Sequence, residues 1–300
     1  MTNLGHEVQI RKRTDSAIWL HETIPDLYIL WQAERLLPEV TKFGAPVICI
    51  PMLDDALPLK VINFSTFHTV QFISFSKILH KFLLLSGCNS SFIRYWPKPP
   101  LEVIEKNESI FFWERNPSYL NIENVVAITE KSELPIFARK LPDPHDLSGA
   151  IPTELNSRVS LIEPDWFPRE KYSEIIAQNQ VFISPRPWEG IGLSFLEAMA
   201  SGSCVIAFNN PTMNEYINSG INGVLINSRT EKADLSRMLD IGIKARKSAV
   251  DGYVQFESGA IDFFTLVIMS ALDKKYTKRL KLLPDQLTLR RFIFLNTFRR

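Results

Sequence analysis

The feature that most constrains this chain is one uninterrupted unit. An apolar strand from Val181 to Ser184 leads into a turn holding Gly190 and Gly192. The helix Leu193-Ser-Phe-Leu-Glu-Ala-Met-Ala200 follows, and then a second apolar strand, Cys204 to Phe208. Strand, glycine turn, helix and strand in immediate succession commit the chain to parallel sheet with crossover helices. A helix that starts just after a glycine turn presents free backbone N–H groups and a positive dipole end, which suit a phosphate. Two carboxylates, Glu189 and Glu197, flank that turn with seven residues between them. Carboxylates repel phosphate, so their natural partners are hydroxyl donors such as a sugar ring or a ribose diol. A phosphate contact bracketed by two diol acceptors describes a nucleotide-sugar pocket. Other phosphate motifs do not fit: position 195 is Phe where a dinucleotide fingerprint needs its third glycine, and no Gly-x4-Gly-Lys-Ser/Thr occurs.

Alternating short apolar runs and helical patterns extend through the rest of the chain. Strands are expected at 6–10, 26–31, 46–51, 69–74 and 91–95. Between them lie a helix over about 32–42, ending at Gly44, an irregular stretch over 54–67, and a helix over 76–86 with Ser76 at its start and Gly87 past its end. Trp96-Pro-Lys-Pro-Pro100 breaks regular structure and sets a domain boundary there. Beyond it, strands are expected at 109–113, 134–139 and 159–162, and helices at 121–130, 168–178, 231–247 and 256–272, with a Pro/Asp/Gly-rich loop over 142–152. The reading is a first domain over 1–98, a second over 99–272, and a basic tail over 273–300.

Hydrophobic content of 45% and charged content of 22% are those of a folded globular chain, and the net charge of +1 argues against nucleic acid as a partner. The scattered cysteines Cys49, Cys88 and Cys204 read as buried free thiols of a reducing compartment rather than a disulfide frame or a metal site. The polar, then basic N-terminus has no signal-peptide pattern. No unbroken run of 18 apolar residues occurs, so no membrane-spanning helix is expected. The Asn-x-Ser triplets at Asn63, Asn89 and Asn107 are then chance matches.

The stretch Glu189-Gly-Ile-Gly-Leu…Glu197-Ala-Met-Ala resembles the signature of the retaining glycosyltransferases of the group 1 family, which have the GT-B fold. Asn214-Glu215-Tyr-Ile and Ser219-Gly-Ile-Asn-Gly-Val-Leu-Ile226 extend the resemblance, which is strong over about 155–230, weaker over 60–120 and absent at the start. The family implies an α/β architecture of two Rossmann-like domains facing a cleft. It implies transfer of a sugar from a nucleoside-diphosphate donor to a glycan or lipid-linked acceptor with retained configuration, no metal and no other cofactor. Chains of this kind build surface polysaccharide. Leu4-Gly-His-Glu-Val8 matches the opening of the family's second strand, so the first strand and its glycine loop are missing and a shortened N-terminal domain is expected.

Carried onto this sequence, the family's pattern makes Glu189 the contact to the transferred sugar near the reacting centre, against the alternative of a solvated loop carboxylate. Glu197 takes the ribose hydroxyls, against the alternative that Ser194 and Glu197 form a capping box. Gly190, Ile191, Gly192 and Leu193 turn their backbone toward sugar and phosphates. Arg115, at the end of a strand, matches the cation that faces the leaving diphosphate. The Lys expected about five residues later is absent, and Glu114 stands where a Gly is usual. Arg186 or Lys140 is the candidate substitute, and for each cation the alternative is a surface salt bridge. Trp166 lies near the base site or belongs to the core. His21, His68, His80 and His145 show no partner pattern, and Asp54-Asp55 and Asp143-Pro-His-Asp146 read as turn formers.

The tail from Lys274 to Arg300 carries nine Lys/Arg against Asp285 alone, interleaved with apolar residues. It reads either as a peripheral contact with an anionic membrane, giving a cytoplasmic enzyme on the inner membrane face, or as a last helix packing back on the first domain. The missing N-terminal segment and missing Lys support a rival reading, a non-catalytic glycosyltransferase-like protein that binds a nucleotide or a partner. A non-sugar nucleotide-binding domain fits less well, because it leaves the two carboxylates unexplained.

Overall fold

The computed structural model of the chain describes residues 7–11, 24–57, 64–102, 104–141, 156–162, 168–273, 281–284 and 287–297. They form two fully parallel sheets. The first has order β1-β2-β3-β4, made by Tyr28–Trp31, Val47–Ile50, Val70–Ser74 and Asn89–Phe92. The second has order β10-β9-β8-β5-β6-β7. Its strands are β5 (Asn107–Glu114), β6 (Ile136–Lys140), β7 (Val159–Ile162), β8 (Asn179–Ile183), β9 (Cys204–Phe208) and β10 (Val224–Ile226). Strands β2, β3, β8 and β9 are buried along their whole length, as in a parallel sheet covered on both faces; β2 and β9 are apolar throughout, while β3 and β8 also bury Gln71, Ser74, Asn179 and Gln180. Together with their helices the sheets make two α/β units. At the edge strand β1, Ile29 and Trp31 are exposed.

The described helices are α1 (Leu37–Val40), α2 (Leu53–Ala56), α3 (Lys77–Leu85), α4 (Ile122–Ile128), α5 (Arg169–Gln178), α6 (Leu193–Ala200), α7 (Met213–Tyr216), α8 (Met238–Leu272) and α9 (Leu289–Thr297). In α3 the buried Leu79, Phe82 and Leu83 recur at helical spacing against the first sheet, Ser76 caps the start and Gly87 sits past the end at φ +86°. The stretch 32–42 is broken into short helical pieces with Pro38 in the first turn of α1, and Gly44, at φ +71°, ends it. Residues 53–56 are helical where an irregular run was expected.

Three other expectations change. Residues 7–10 form no strand: Val8 and Ile10 stand exposed, and two alternating apolar residues without a paired neighbour do not hold an extended ladder. The helices expected at 231–247 and 256–272 are one 35-residue helix, α8, beginning only at Met238. Its first half packs on the second unit through Ile241, Ala245 and Ala249, and its end packs on the first through Val267, Ile268 and Ala271. Glycines permit the close crossings. A Cβ at Gly242 would meet the Gly202 carbonyl oxygen at 2.3 Å, and one at Gly252 would meet Trp96 Nε1 at 2.1 Å. By length and composition α8 also reaches the range of a membrane span, with a mean hydropathy of 1.2 over its most apolar window, although no unbroken apolar run exists.

The tail residues Leu287, Leu289, Phe292 and Ile293 are buried in the core of the first unit beside α3. Of the two readings of the tail, packing on the first domain is what these residues do.

Candidate functional site

The glycine turn lies where the C-terminal ends of β8 and its neighbours open toward the first unit, the position at which parallel sheets bind ligands. Gly192 has φ +79° and is the N-cap of α6, with Phe195 filling the space its side chain would occupy. No side chain caps this helix. The capping box considered for Ser194 and Glu197 therefore does not form: the N-cap is Gly192, two residues earlier, so Ser194 lies inside the helix. Gly190 sits against the first unit. A Cβ there would lie 2.8 Å from Met52 Cβ and 2.9 Å from Asp54 Oδ1, so only glycine lets the turn come this close. Ile191 packs on the cores of both units, and Trp188 packs on the first. Leu193 opens the helix with its side chain exposed.

Glu189 is buried at 7% exposure, and its backbone carbonyl accepts the Thr212 hydroxyl at 3.0 Å. Glu197 accepts from Arg169 Nη2 at 3.1 Å. Burial pushes the Glu197 carboxyl above the usual range, and Arg169 partly offsets the rise.

Arg115 follows β5 and lays its guanidinium 4.6 Å from the Trp113 ring centroid; Arg139, on β6, lies 4.8 Å from the same ring. Trp113 and Arg139 are register partners, and Arg139 is buried at 2% exposure. Tyr172, on α5, meets Trp113 edge-on at 5.1 Å. Burial raises the Tyr172 hydroxyl pKa, Arg115 opposes the rise, Glu197 and Glu189 add to it, and Arg139 opposes it again. That hydroxyl therefore sits within electrostatic reach of both motif carboxylates and both arginines.

Lys140 is drawn off: its ammonium pairs at 2.9 Å with the buried Glu114, whose other oxygen accepts the Ile122 N–H at the start of α4. Glu114 thus has a structural use for the position where glycine is usual. Leu120, five residues after Arg115, is a core residue. Arg186 faces the first unit instead, 3.8 Å from Asp54 Oδ2. Among the described residues Asp54 Oδ1 is buried without a hydrogen-bond partner, and burial followed by the neighbouring Asp55 raises the Asp54 carboxyl while Arg186 lowers it. Arg139, Trp113 and Tyr172 carry no motif. A charged residue closing the otherwise apolar run Ile136-Phe-Ala was the one available hint.

The units are also joined through Glu215. Its carboxylate accepts from Ser76 Oγ at 2.8 Å and from the Lys77 and Ile78 N–H groups at 2.7 and 3.2 Å, while Arg94 donates to its carbonyl at 2.7 Å. His80 bonds Ser90 at 2.9 Å, a structural contact. Among the described residues no group of His, Cys, Asp and Glu is placed to hold a metal ion. His21, Asp143, His145, Asp146 and Trp166 lie outside the described residues.

Two α/β units meeting at a cleft, with the glycine turn on the second, are a GT-B architecture. Residues 153–251 match the family described as Glycosyl transferases group 1. Solved structures of similar fold include sucrose-phosphate synthase from Thermosynechococcus elongatus, with a TM-score of 0.62 at 14% identity over 84% of this chain and 75% of that one. Anabaena HepE in complex with UDP and glucose gives 0.59 at 14% identity over 83% and 80%. A mutant of S. aureus TarM in complex with Fondaparinux, alpha-GlcNAc-glycerol and UDP gives 0.58 at 15% identity over 84% and 58%. A curated relative, an uncharacterized 41.2 kDa protein in the cps region of Klebsiella pneumoniae, is 26% identical over 129 residues, which are 42% of this chain and 34% of that protein. The chain thus spans about a third of that relative's length.

Proposed function

We propose that this chain is a retaining hexosyltransferase that moves a sugar from a nucleoside-diphosphate donor to a glycan or lipid-linked acceptor in surface polysaccharide synthesis. The observation that carries the reading is the glycine turn between β8 and α6, with the buried Glu189 before it and the half-buried Glu197 on the helix after it, together with two guanidinium groups, Arg115 and Arg139, on the Trp113 ring at the ends of β5 and β6. In this reading Glu189 holds the transferred sugar and Glu197 exchanges Arg169 for the ribose hydroxyls. Backbone groups of Gly190, Ile191, Gly192 and Leu193 face sugar and phosphates. The bond from the anomeric carbon to phosphate oxygen breaks, the acceptor oxygen bonds to that carbon, and the acceptor proton leaves with the diphosphate. The protein contributes positioning and stabilisation of charge on the leaving diphosphate by Arg115, with Arg139 taking the share the absent Lys would have had and Arg186 close by on the seam.

The similar HepE and TarM structures hold UDP, and the Klebsiella relative is described from a cps region; both support this donor class and context. The buried free thiols suit a cytoplasmic protein. A second reading, a non-catalytic nucleotide- or partner-binding relative, is favoured by Leu120 at the position of the missing Lys and by the tight contact of Gly190 with Met52. Saturation-transfer NMR with UDP, GDP and their sugar conjugates, beside Glu197→Ala, tests the pocket. Binding of one nucleotide series that the variant loses supports it, and no binding by the folded protein overturns it. Donor turnover then separates enzyme from binding protein.

A further inference from the structure

Helix α8 carries an apolar seam that neither sheet covers. Ile241, Ala245, Ala249, Val267 and Ile268 point inward, yet Leu239, Ile243, Val250, Val254 and Ile261 are 59, 72, 38, 59 and 68% exposed. These five are not scattered. Leu239, Val250 and Ile261 recur every eleven residues, close to three turns, and Ile243 and Val254 each follow four residues after one of them. They line one stripe about 33 Å long at ~1.5 Å per residue. An exposed apolar stripe of this length, interrupted here by Arg246 and Glu257, marks an interaction site.

Three of the five seam residues are symmetric about Val250, and the other two reverse onto charged residues. Leu239 lies as far before Val250 as Ile261 lies after it. Reversed about Val250, the seam sets Leu239 against Ile261, Val250 against Val250, Ile243 against Glu257 and Val254 against Arg246. Its charges reverse the same way. Lys247 and Asp251, paired with each other at 2.5 Å, straddle Val250, so an inverted copy brings Asp251 within one helical turn of Lys247 on both sides of the axis. A membrane surface is the poorer match, because Asp240, Asp251, Glu257 and Asp262 interrupt the basic residues that an anionic lipid face requires. We propose that the partner is a second copy of this chain, packed antiparallel along α8 with its two-fold axis at Val250.

The proposal is specific enough to cross-link. Cys49, Cys88 and Cys204 are all buried, and burial holds the Cys88 and Cys204 thiols up at about 12, so they stay silent under mild oxidation. Val250→Cys, on the axis, should form a disulfide-linked dimer with oxidised glutathione. Gln255→Cys, exposed on another side of the helix, should not. In sedimentation velocity, Ile243→Asp, placed against the partner's Glu257, should raise the dimer dissociation constant by about tenfold or more, equivalent to ~1.4 kcal/mol. Ile243→Lys, at the same place, should weaken the dimer far less. Position 243 is a surface site, and an unchanged melting temperature of the dissociated chain confirms that both variants fold. A wild-type chain that stays monomeric at high concentration overturns the proposal. So do equal cross-linking at 250 and 255, equal effects of Asp and Lys at 243, and association with vesicles in place of a dimer.

Discussion

The Glu215 carboxylate accepts the Lys77 backbone N–H at 2.7 Å, so a side chain of the second unit caps a helix of the first. It also takes the Ile78 N–H and the hydroxyl of Ser76, the N-cap residue of α3. A negative charge on the first N–H groups of a helix gains both hydrogen bonds and the helix dipole. Glu215→Ala should cost about 1–2 kcal/mol, the range of a lost N-cap. Glu215→Gln should cost less, because an amide oxygen still accepts. Thermal melts of the two variants give the order, and small-angle scattering should show the units less firmly held in Glu215→Ala.

Gly190 sets how near the two units come. Its missing side chain is replaced by Met52 Cβ, an atom close to the backbone that cannot swing away. Gly190→Ala should therefore push the turn off the first unit, with a cost of about 1–3 kcal/mol in the range of overpacking. Met52→Gly removes both Met52 atoms within reach of the new methyl, so the penalty of Gly190→Ala should be smaller in a Met52→Gly background than in the parent chain, although Met52→Gly itself destabilises the core. An equal penalty in the two backgrounds would mean that the contact is not what the glycine serves.

How much of this was legible in the sequence depends on whether the signal was local. The glycine turn, its two carboxylates and helix α6 are contiguous, and so were found with their neighbours. Helix α3 was legible for the same reason, with its capping Ser76 and closing Gly87. What was missed depends on register and on contacts between distant segments. Glu114 and Lys140 are partners across β5 and β6, a relation no single stretch displays, and it removes Lys140 from the site. Tyr172 and Arg139 reach the motif only once α5 and β6 are in place. Gly252, in the middle of α8, is met by Trp96, which occupies the space beside it from 156 residues earlier in the chain.

Glu197 gives a pH signature. Burial raises its carboxyl above the unfolded value, with Arg169 opposing. By linkage, a raised carboxyl adds stability that is complete below the unfolded pKa and is lost as pH rises through the folded one. At neutral pH the ionised, half-buried carboxylate is a burden on the fold. Glu197→Gln should thus melt at a higher temperature than the parent chain at neutral pH, and the gain should vanish in the acid range. The same variant should lose nucleotide binding, since an amide is a weaker acceptor for a diol. A variant less stable at neutral pH would mean that the Arg169 pair outweighs the burial.

Arg115 and Arg139 share one indole ring, and their roles separate by what is bound. Both guanidinium groups flank Trp113 within 5 Å, and like charges so placed favour an anion between or beside them. A charge-assisted contact to phosphate is worth about 1.5–3 kcal/mol, roughly 10- to 100-fold in affinity. Arg139→Met keeps much of the buried stem, and so much of its packing, but removes the charge. It should weaken binding of the cognate nucleoside diphosphate by about tenfold or more while leaving the bare nucleoside unchanged. Arg115→Ala should do the same. Isothermal titration with both ligands reads the split directly. Equal losses for nucleoside and nucleoside diphosphate in Arg139→Met would assign that arginine to holding β6 against Trp113 and leave Arg115 as the cation that meets the phosphates.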